Sequence, residues 1–263
     1  DKATGEKLIF IKRGRLGLTV TDLLAWQLSR EISIDTTEIE GAEVWVKFDE
    51  EGRSNFSNLT FVEDEEASGI NIRYTSMKFS LRDSVVHVGD LSRKISGDAN
   101  NIQMSFEPED TSVPDEQKNY RFDLTSTGSN FAYEESVLKD ISIRSRGTIN
   151  REGADVTELR IETPVGSSAL AGTVRNWSEL AYDLTIESTV DMTRTSATFP
   201  LGTSLSGIGN FKGKVSGSGE NYRIDGRIES DSLTADGIYL KGIDVEATVA
   251  GTNLNYDANG TAV

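Results

Sequence analysis

Between residues 122 and 254 apolar and polar positions alternate along most of the chain. Tyr182, Leu184 and Ile186 alternate with Asp183, Thr185 and Glu187. Tyr222, Ile224 and Ile228 fall at even spacing, with Gly226 filling the gap. Ile243, Val245, Ala247 and Val249 alternate with Asp244, Glu246 and Thr248. A period of two predicts strands with one dry and one wet face. From Tyr120 onward these strands recur about every 10 residues, and Gly147, Gly153, Gly166, Gly219, Gly237 and Gly251 mark turns between them. Such spacing predicts an all-β sandwich, barrel or long meander. Residues 191–205, which include Pro200, interrupt the series and predict a short helix or flap.

The amino-terminal part reads as shorter pieces. Residues 8–11 and Leu16, Leu18, Val20 predict two strands around a turn at Gly14. Thr21 caps a predicted helix near residues 22–30, with Leu23, Leu24, Trp26 and Leu28 as its apolar stripe. Strands follow at 32–34, 38–40 and 43–48, then a turn at Asp49-Glu50-Glu51-Gly52 with the glycine placed for positive φ. An acidic loop at 63–68 precedes strands at 70–75, 77–82 and 84–89, and residues 108–118 read as a solvated loop. Two regions are expected. Residues 1–62 form an amino-proximal strand–helix–strand cap, and residues 63–263 form a repetitive antiparallel sheet continuous with it.

Composition sharpens this. Of 263 residues, 36% are hydrophobic and 8% aromatic, so the core is thin, as a sheet with one apolar face requires. The net charge of −16, from 27 basic and 43 acidic residues, argues against a nucleic-acid partner and against docking on anionic headgroups by charge. Acidic side chains on the wet face keep a large sheet soluble. There is no cysteine, hence no disulfide framework and no thiolate site. No run of about 18 apolar residues offers a membrane-spanning helix. The abrupt start and the strand-like finish read as a segment of a longer protein.

Reactive groups are sparse. His87 is the single histidine, and one histidine makes neither a metal cluster nor, without a nearby nucleophile, a triad. The glycines from Gly207 to Gly219 alternate as a strand does and have no following helix to cradle phosphate. The acidic runs 49–51 and 63–66 lack the spacing of a calcium loop. The reading is a protein that is not an enzyme and carries no cofactor or metal.

Two stretches carry a resemblance. One comprises Val20-Thr21-Asp22-Leu23-Leu24, Ile32-Ser33-Ile34, and residues 42–55 with the strand Val44-Trp45-Val46 and the turn Asp49-Glu50-Glu51-Gly52-Arg53-Ser54-Asn55. The other is residues 122–250, above all Leu205-Ser206-Gly207-Ile208-Gly209-Asn210-Phe211-Lys212-Gly213-Lys214-Val215-Ser216-Gly217. Together they resemble AsmA-like and TamB-like proteins of the bacterial envelope. The resemblance implies a β-taco, a long, curved, mostly antiparallel sheet folded into a U-shaped trough with an apolar lining. It implies a periplasmic location, with an inner-membrane anchor helix outside this segment. It also implies phospholipid transport toward the outer membrane, or assembly of outer-membrane proteins, with envelope membrane proteins as further partners.

The residues give a physical case of their own. A dozen one-sided strands expose far more apolar area than a soluble surface tolerates, so phospholipid acyl chains are the expected occupants. The candidate lining is Ile141, Ile143 and Ile149, then Leu159 and Ile161, then Leu170 and Val174, then Leu184, Ile186 and Val190. It continues with Val215, Ile224 and Ile228, and ends with Leu240, Ile243, Val245 and Val249. Two alternatives remain open. One is a closed structural or adhesive sandwich or solenoid, in which the same residues form a dry core. The other is a chaperone whose sheet edge pairs with a client strand.

Overall fold

The computed structural model describes residues 7–19, 31–57, 71–73, 77–114, 117–219, 221–252 and 256–262. The helix expected near residues 22–30 and the acidic loop at 63–68 lie outside them. The chain is all-β and mostly antiparallel, built as curved open sheet that is not closed into a barrel. It divides into two compact units, residues 1–134 and 135–263.

Unit 1 holds β1 (Ile9–Thr19), β2 (Glu31–Phe48), β3 (Asn71–Arg73), β4 (Lys78–Asp90), β5 (Ile95–Pro108) and β6 (Tyr120–Tyr133). Their order is β1-β2-β4-β5-β6; β3 and β4 both run parallel to β2, and the other pairs are antiparallel. Several pieces that the sequence separates are single strands. β1 runs through Gly14 without a turn, β2 is one 18-residue strand, and β4 spans both segments expected at 77–82 and 84–89.

The reason is a crease. Gly41 in β2, Asp83 in β4, Asn101 in β5 and Gly128 in β6 all have left-handed backbone, with φ of 66°, 50°, 48° and 65°. The flanking pairs Glu40↔Arg82 and Glu43↔Val85, and Asp98↔Asn130 and Gln103↔Thr125, put these residues side by side across the sheet. One left-handed residue bends a strand and shifts its alternation by one. The apolar positions change parity there: Ile39 gives way to Val44 and Val46, Leu81 to Val86 and Val88, Leu124 to Phe131. A sequence pattern that breaks this way mimics a turn.

Buried serines stitch the crease. Ser84 is 1% exposed; its Oγ accepts the Ala42 N–H at 3.0 Å and donates to the Arg82 carbonyl at 2.9 Å. Ser129 Oγ accepts the Asn100 N–H, Ser126 Oγ donates to the Asn100 carbonyl, and the two hydroxyls meet at 2.7 Å. Kinked backbone forfeits ladder hydrogen bonds, and these hydroxyls replace them.

At the end of β2, Gly52 has φ +76°, as the turn chemistry predicts. Asn55 behaves as a pairing residue without being in a strand. Its Oδ1 accepts the Lys47 N–H at 2.9 Å and its Nδ2 donates to the Trp45 carbonyl at 2.8 Å. Asp49 is occupied by Arg53, which donates through Nε and its backbone N–H, so its carboxyl is held below the usual range by those bonds. The acidic-Gly-x-x-Asn pattern is thus a self-contained hairpin clasp.

Unit 2 is a meander in chain order: β7 (Ser136–Ile149), β8 (Gly153–Thr163), β9 (Gly166–Arg175), β10 (Ala181–Asp191), β11 (Leu205–Ser218), β12 (Asn221–Ala235), β13 (Ile238–Thr252) and β14 (Tyr256–Ala262). Between β10 and β11 lies α1 (Met192–Thr198), in the predicted interruption. Asp191 caps it by accepting the Arg194 N–H at 3.0 Å. Asp236 and Gly237, with φ of 48° and 81°, make the tight turn that joins β12 to β13.

Candidate functional site

Cross-strand pairing in unit 2 assembles the candidate lining into continuous rows. Leu159 pairs with Leu170, which pairs with Ile186. Beside this row run Leu184, Val215, Ile224 and Val249, each paired with the next. Ile143 faces Ile161, Ile149 faces Ala154, Ala154 faces Val174, and Ile228 faces Val245. Val190 pairs with Gly166 and Gly209, and Ile243 with Ser230. Ile141 is one even step from Ile143 on β7. Leu240 sits at the outer end of the rows. It lies an odd step from Ile243, but the left-handed Gly242 between them, with φ +64°, shifts the alternation by one; Leu240 pairs with Leu233 and is 44% exposed.

The rows also contain residues that are not aliphatic. Gly213 and Gly226 pair with each other, and a Cβ on Gly226 would lie 2.5 Å from the Phe211 ring. The ring of Phe211 therefore lies flat over glycine backbone. Tyr182 covers Gly217 in the same way, and the Met192 methyl covers Gly209. Ser168 and Ser188 sit paired within the rows and satisfy one another, Oγ to Oγ at 2.6 Å. The signal for all of these was the alternation itself: each occupies a lining-parity position, but as glycine, serine or aromatic.

Burial decides what the rows are. Ile141 is buried at 8% exposure, Leu240 is exposed, and every other candidate is half-buried. Among the described residues the only buried apolar side chains are Ala42, Ile102, Ile141 and Ala154. Each strand of unit 2 touches its hydrogen-bonded neighbours, and α1 rests on β11, β10 and β7. Among the described residues of unit 2 no second sheet packs on the rows, whereas the inner face of a sandwich would be dry.

The opposite parity is a lattice of ion pairs. Lys212 meets Glu187 at 2.6 Å, Arg160 meets Glu162 at 2.8 Å, Arg146 meets Glu158 at 2.6 Å, and Arg227 is clamped on Asp244. The bond to Glu187 raises the Lys212 pKa, and the Arg223 guanidinium lowers that of Asp225. A depression of about 340 Å³ on this face is lined by Arg160, Glu187, Lys212, Arg227 and Glu229, and those charges are engaged with each other or with neighbours.

In unit 1, His87 Nδ1 lies 2.7 Å from Asp98 Oδ1, and its ring stacks on Trp45 with centroids 5.2 Å apart. Asn130 Nδ2 donates to the other Asp98 oxygen at 2.9 Å; this bond and the histidine hold Asp98 below the usual carboxylate range. The group is a cross-strand ladder on neighbouring strands, with Trp45, His87, Asp98 and Asn130 in register. Among the described residues no three His, Asp or Glu side chains gather as a metal site.

No family model matches the chain, and neither the curated proteins nor the solved structures contain a significant match.

Proposed function

We propose that this chain binds phospholipid acyl chains along an uncovered apolar strip and lets them move along it, as a non-enzymatic segment of a bridge-like envelope protein. The observation that carries the reading is half-burial. The rows of unit 2 are continuous across successive strands, yet among the described residues of that unit no second layer covers them. An uncovered apolar surface of that length needs an occupant. Each CH₂ removed from water contributes about 0.8 kcal/mol, so an acyl chain half covered by the strip is held by roughly 6 kcal/mol. That is firm enough to load and weak enough to move. The flat seating of Phe211 and Tyr182 on glycines leaves neighbouring positions similar in energy, which favours sliding.

The resemblance to AsmA-like and TamB-like proteins supplies the proposed setting, the periplasm between two membranes, with a U-shaped trough as the cross-section. The crease in unit 1 is the kind of device such a cross-section uses, because it bends successive strands at the same height. One observation favours the chaperone as a second reading. Among the described residues β1 pairs only with β2, and its Ile9, Phe10, Ile11, Leu16 and Leu18 are 47–62% exposed, an open edge for a client strand.

Native mass spectrometry of the purified chain tests the first reading, which expects co-purified phospholipid. Ile186→Asp, placed between Leu170 and Gly213, should strip most of that lipid while the protein stays folded. Unchanged lipid in a folded Ile186→Asp protein would remove the strip as the binding surface.

A further inference from the structure

One end of the unit 2 sheet carries exposed apolar residues beyond and at the outer end of the strip. The turn at Asp236–Gly237 puts Ile238, Tyr239 and Leu240 at the start of β13, where they are 65%, 64% and 44% exposed. The loop after α1 adds Leu201, 47% exposed. Two hydrogen bonds fasten loop to hairpin. The Asp236 N–H donates to the Ser204 carbonyl at 2.9 Å, and the Ser204 N–H donates to Asp236 Oδ1 at 2.8 Å. The tip is therefore built, not frayed. Arg194 braces it from behind by donating to the Pro164 carbonyl at 3.1 Å, and Ser196 Oγ accepts the Leu205 N–H at 3.0 Å.

The occupant follows from geometry and charge. Successive residues of a strand point to opposite faces. Three consecutive large side chains, all exposed, mean that both faces of the hairpin tip are open. A partner that packs on one face covers at most half of them, whereas hydrocarbon surrounds a protruding tip on every side. Tyr239 and Lys241 suit the boundary between hydrocarbon and headgroup, since the phenol and the ammonium stay hydrated while their stems sit among acyl chains. Lys241 is exposed one residue behind Leu240, at the height where a lipid phosphate would lie if the tip entered a bilayer. The net charge of −16 repels an anionic surface.

We propose that this tip, Leu201 with Ile238, Tyr239 and Leu240, dips into the outer part of a zwitterionic phospholipid bilayer and brings the strip beside it. The proposal deepens the acyl-chain reading and rests on it for its purpose, but its own observable is membrane contact. The test is flotation of the purified chain with phosphatidylcholine vesicles, set beside uptake of a soluble short-chain fluorescent phospholipid that needs no bilayer. The wild-type chain floats. Replacing Ile238→Ser and Tyr239→Ser together lowers the vesicle partition coefficient about tenfold or more, while uptake of the soluble lipid is unchanged. Tyr239→Trp, which leaves the tip apolar, shows a blue-shifted emission on vesicles and quenching by brominated chains. A wild-type chain that stays in the aqueous layer, a double variant that floats equally well, or binding that grows with added anionic lipid overturns the tip. Flotation with no uptake in either protein upholds the tip and sinks the acyl-chain strip.

Discussion

The two units solve the same problem by different means. Among the described residues, each builds a curved sheet from long strands with few fully buried apolar side chains. In unit 1 the strands are creased at one height by left-handed residues, and hydroxyls of Ser84, Ser126 and Ser129 take over the lost ladder bonds. In unit 2 the alternation of β9 to β11 and most of β12 and β13 runs unbroken, and the irregularities lie at left-handed Asp140 in β7, at the register shifts Arg146/Gly147, Val156/Leu159 and Gly207/Asn210, and at Gly242. There, glycines within the rows provide room instead, and an aromatic ring lies down on them. Curvature in unit 1 therefore depends on polar bonds, and smoothness in unit 2 on the absence of side chains. The contrast is testable because equal insults should act through different physics.

The largest effect belongs to the crease. Ser84→Val removes the acceptor of the Ala42 N–H and the donor to Arg82 at a site 1% exposed. A buried N–H left without a partner costs about 1–3 kcal/mol, and the upper end is expected here because two bonds vanish together. Urea unfolding followed by Trp45 fluorescence reads it as a lower midpoint. A midpoint equal to wild type would mean that the crease stands without its stitches.

Gly226→Val in unit 2 comes next. Its Cβ falls 2.5 Å from the Phe211 ring and 2.7 Å from the Lys212 carbonyl, so the ring must lift. Overpacking of this kind costs about 1–3 kcal/mol, and an open strip relieves part of it because Phe211 has room to rise. The distinctive consequence is functional. A raised ring interrupts the strip, so lipid exchange between vesicles should slow more than lipid binding weakens. Loss of binding in step with exchange would argue against sliding along rows.

Gly128→Ala isolates the conformational part of the crease. The nearest atom to its Cβ is Asn101 Nδ2 at 3.9 Å, so no clash arises and only φ +65° is penalised. About 1 kcal/mol is expected, from the strain of a left-handed alanine. The same change at Gly14, where φ is not positive and nothing lies within 4 Å, should be neutral or slightly stabilising.

This contrast also explains what could be read from the chain in advance. The middle of unit 2 is legible because its alternation is continuous there: the row through Leu184, Val215, Ile224 and Val249 follows from counting by two. Unit 1 was read in fragments because a one-residue shift of parity looks like a turn in a string of letters. Gly41 is a visible cue, but Asp83 and Asn101 adopt the same backbone without glycine. The buried serines carry no sequence signal, since an alternating strand normally places serine on its wet face. Leu240 lies an odd step from Ile243, and the left-handed Gly242 between them shifts the alternation as the creased residues of unit 1 do.

The smallest effect is electrostatic and lies in unit 1. Asp98 takes one bond from Asn130 and one from His87, and both hold its folded pKa below the usual carboxylate value. For a depressed carboxylate the sign is fixed. The unfolded chain binds the proton more readily, so the stabilisation is complete above about pH 4 and disappears as pH falls through the lower folded value. Asp98 is largely open to solvent, at 40% side-chain exposure, so screening keeps the contribution small. Asp98→Asn should therefore leave a shallower loss of stability between about pH 4 and pH 2 than wild type, with nearly the same midpoint at pH 7 apart from the lost histidine contact. Urea midpoints at both pH values measure it. An undiminished acid slope in the variant would assign the acid sensitivity to other carboxylates, and would leave the ladder of Trp45, His87, Asp98 and Asn130 as packing rather than charge.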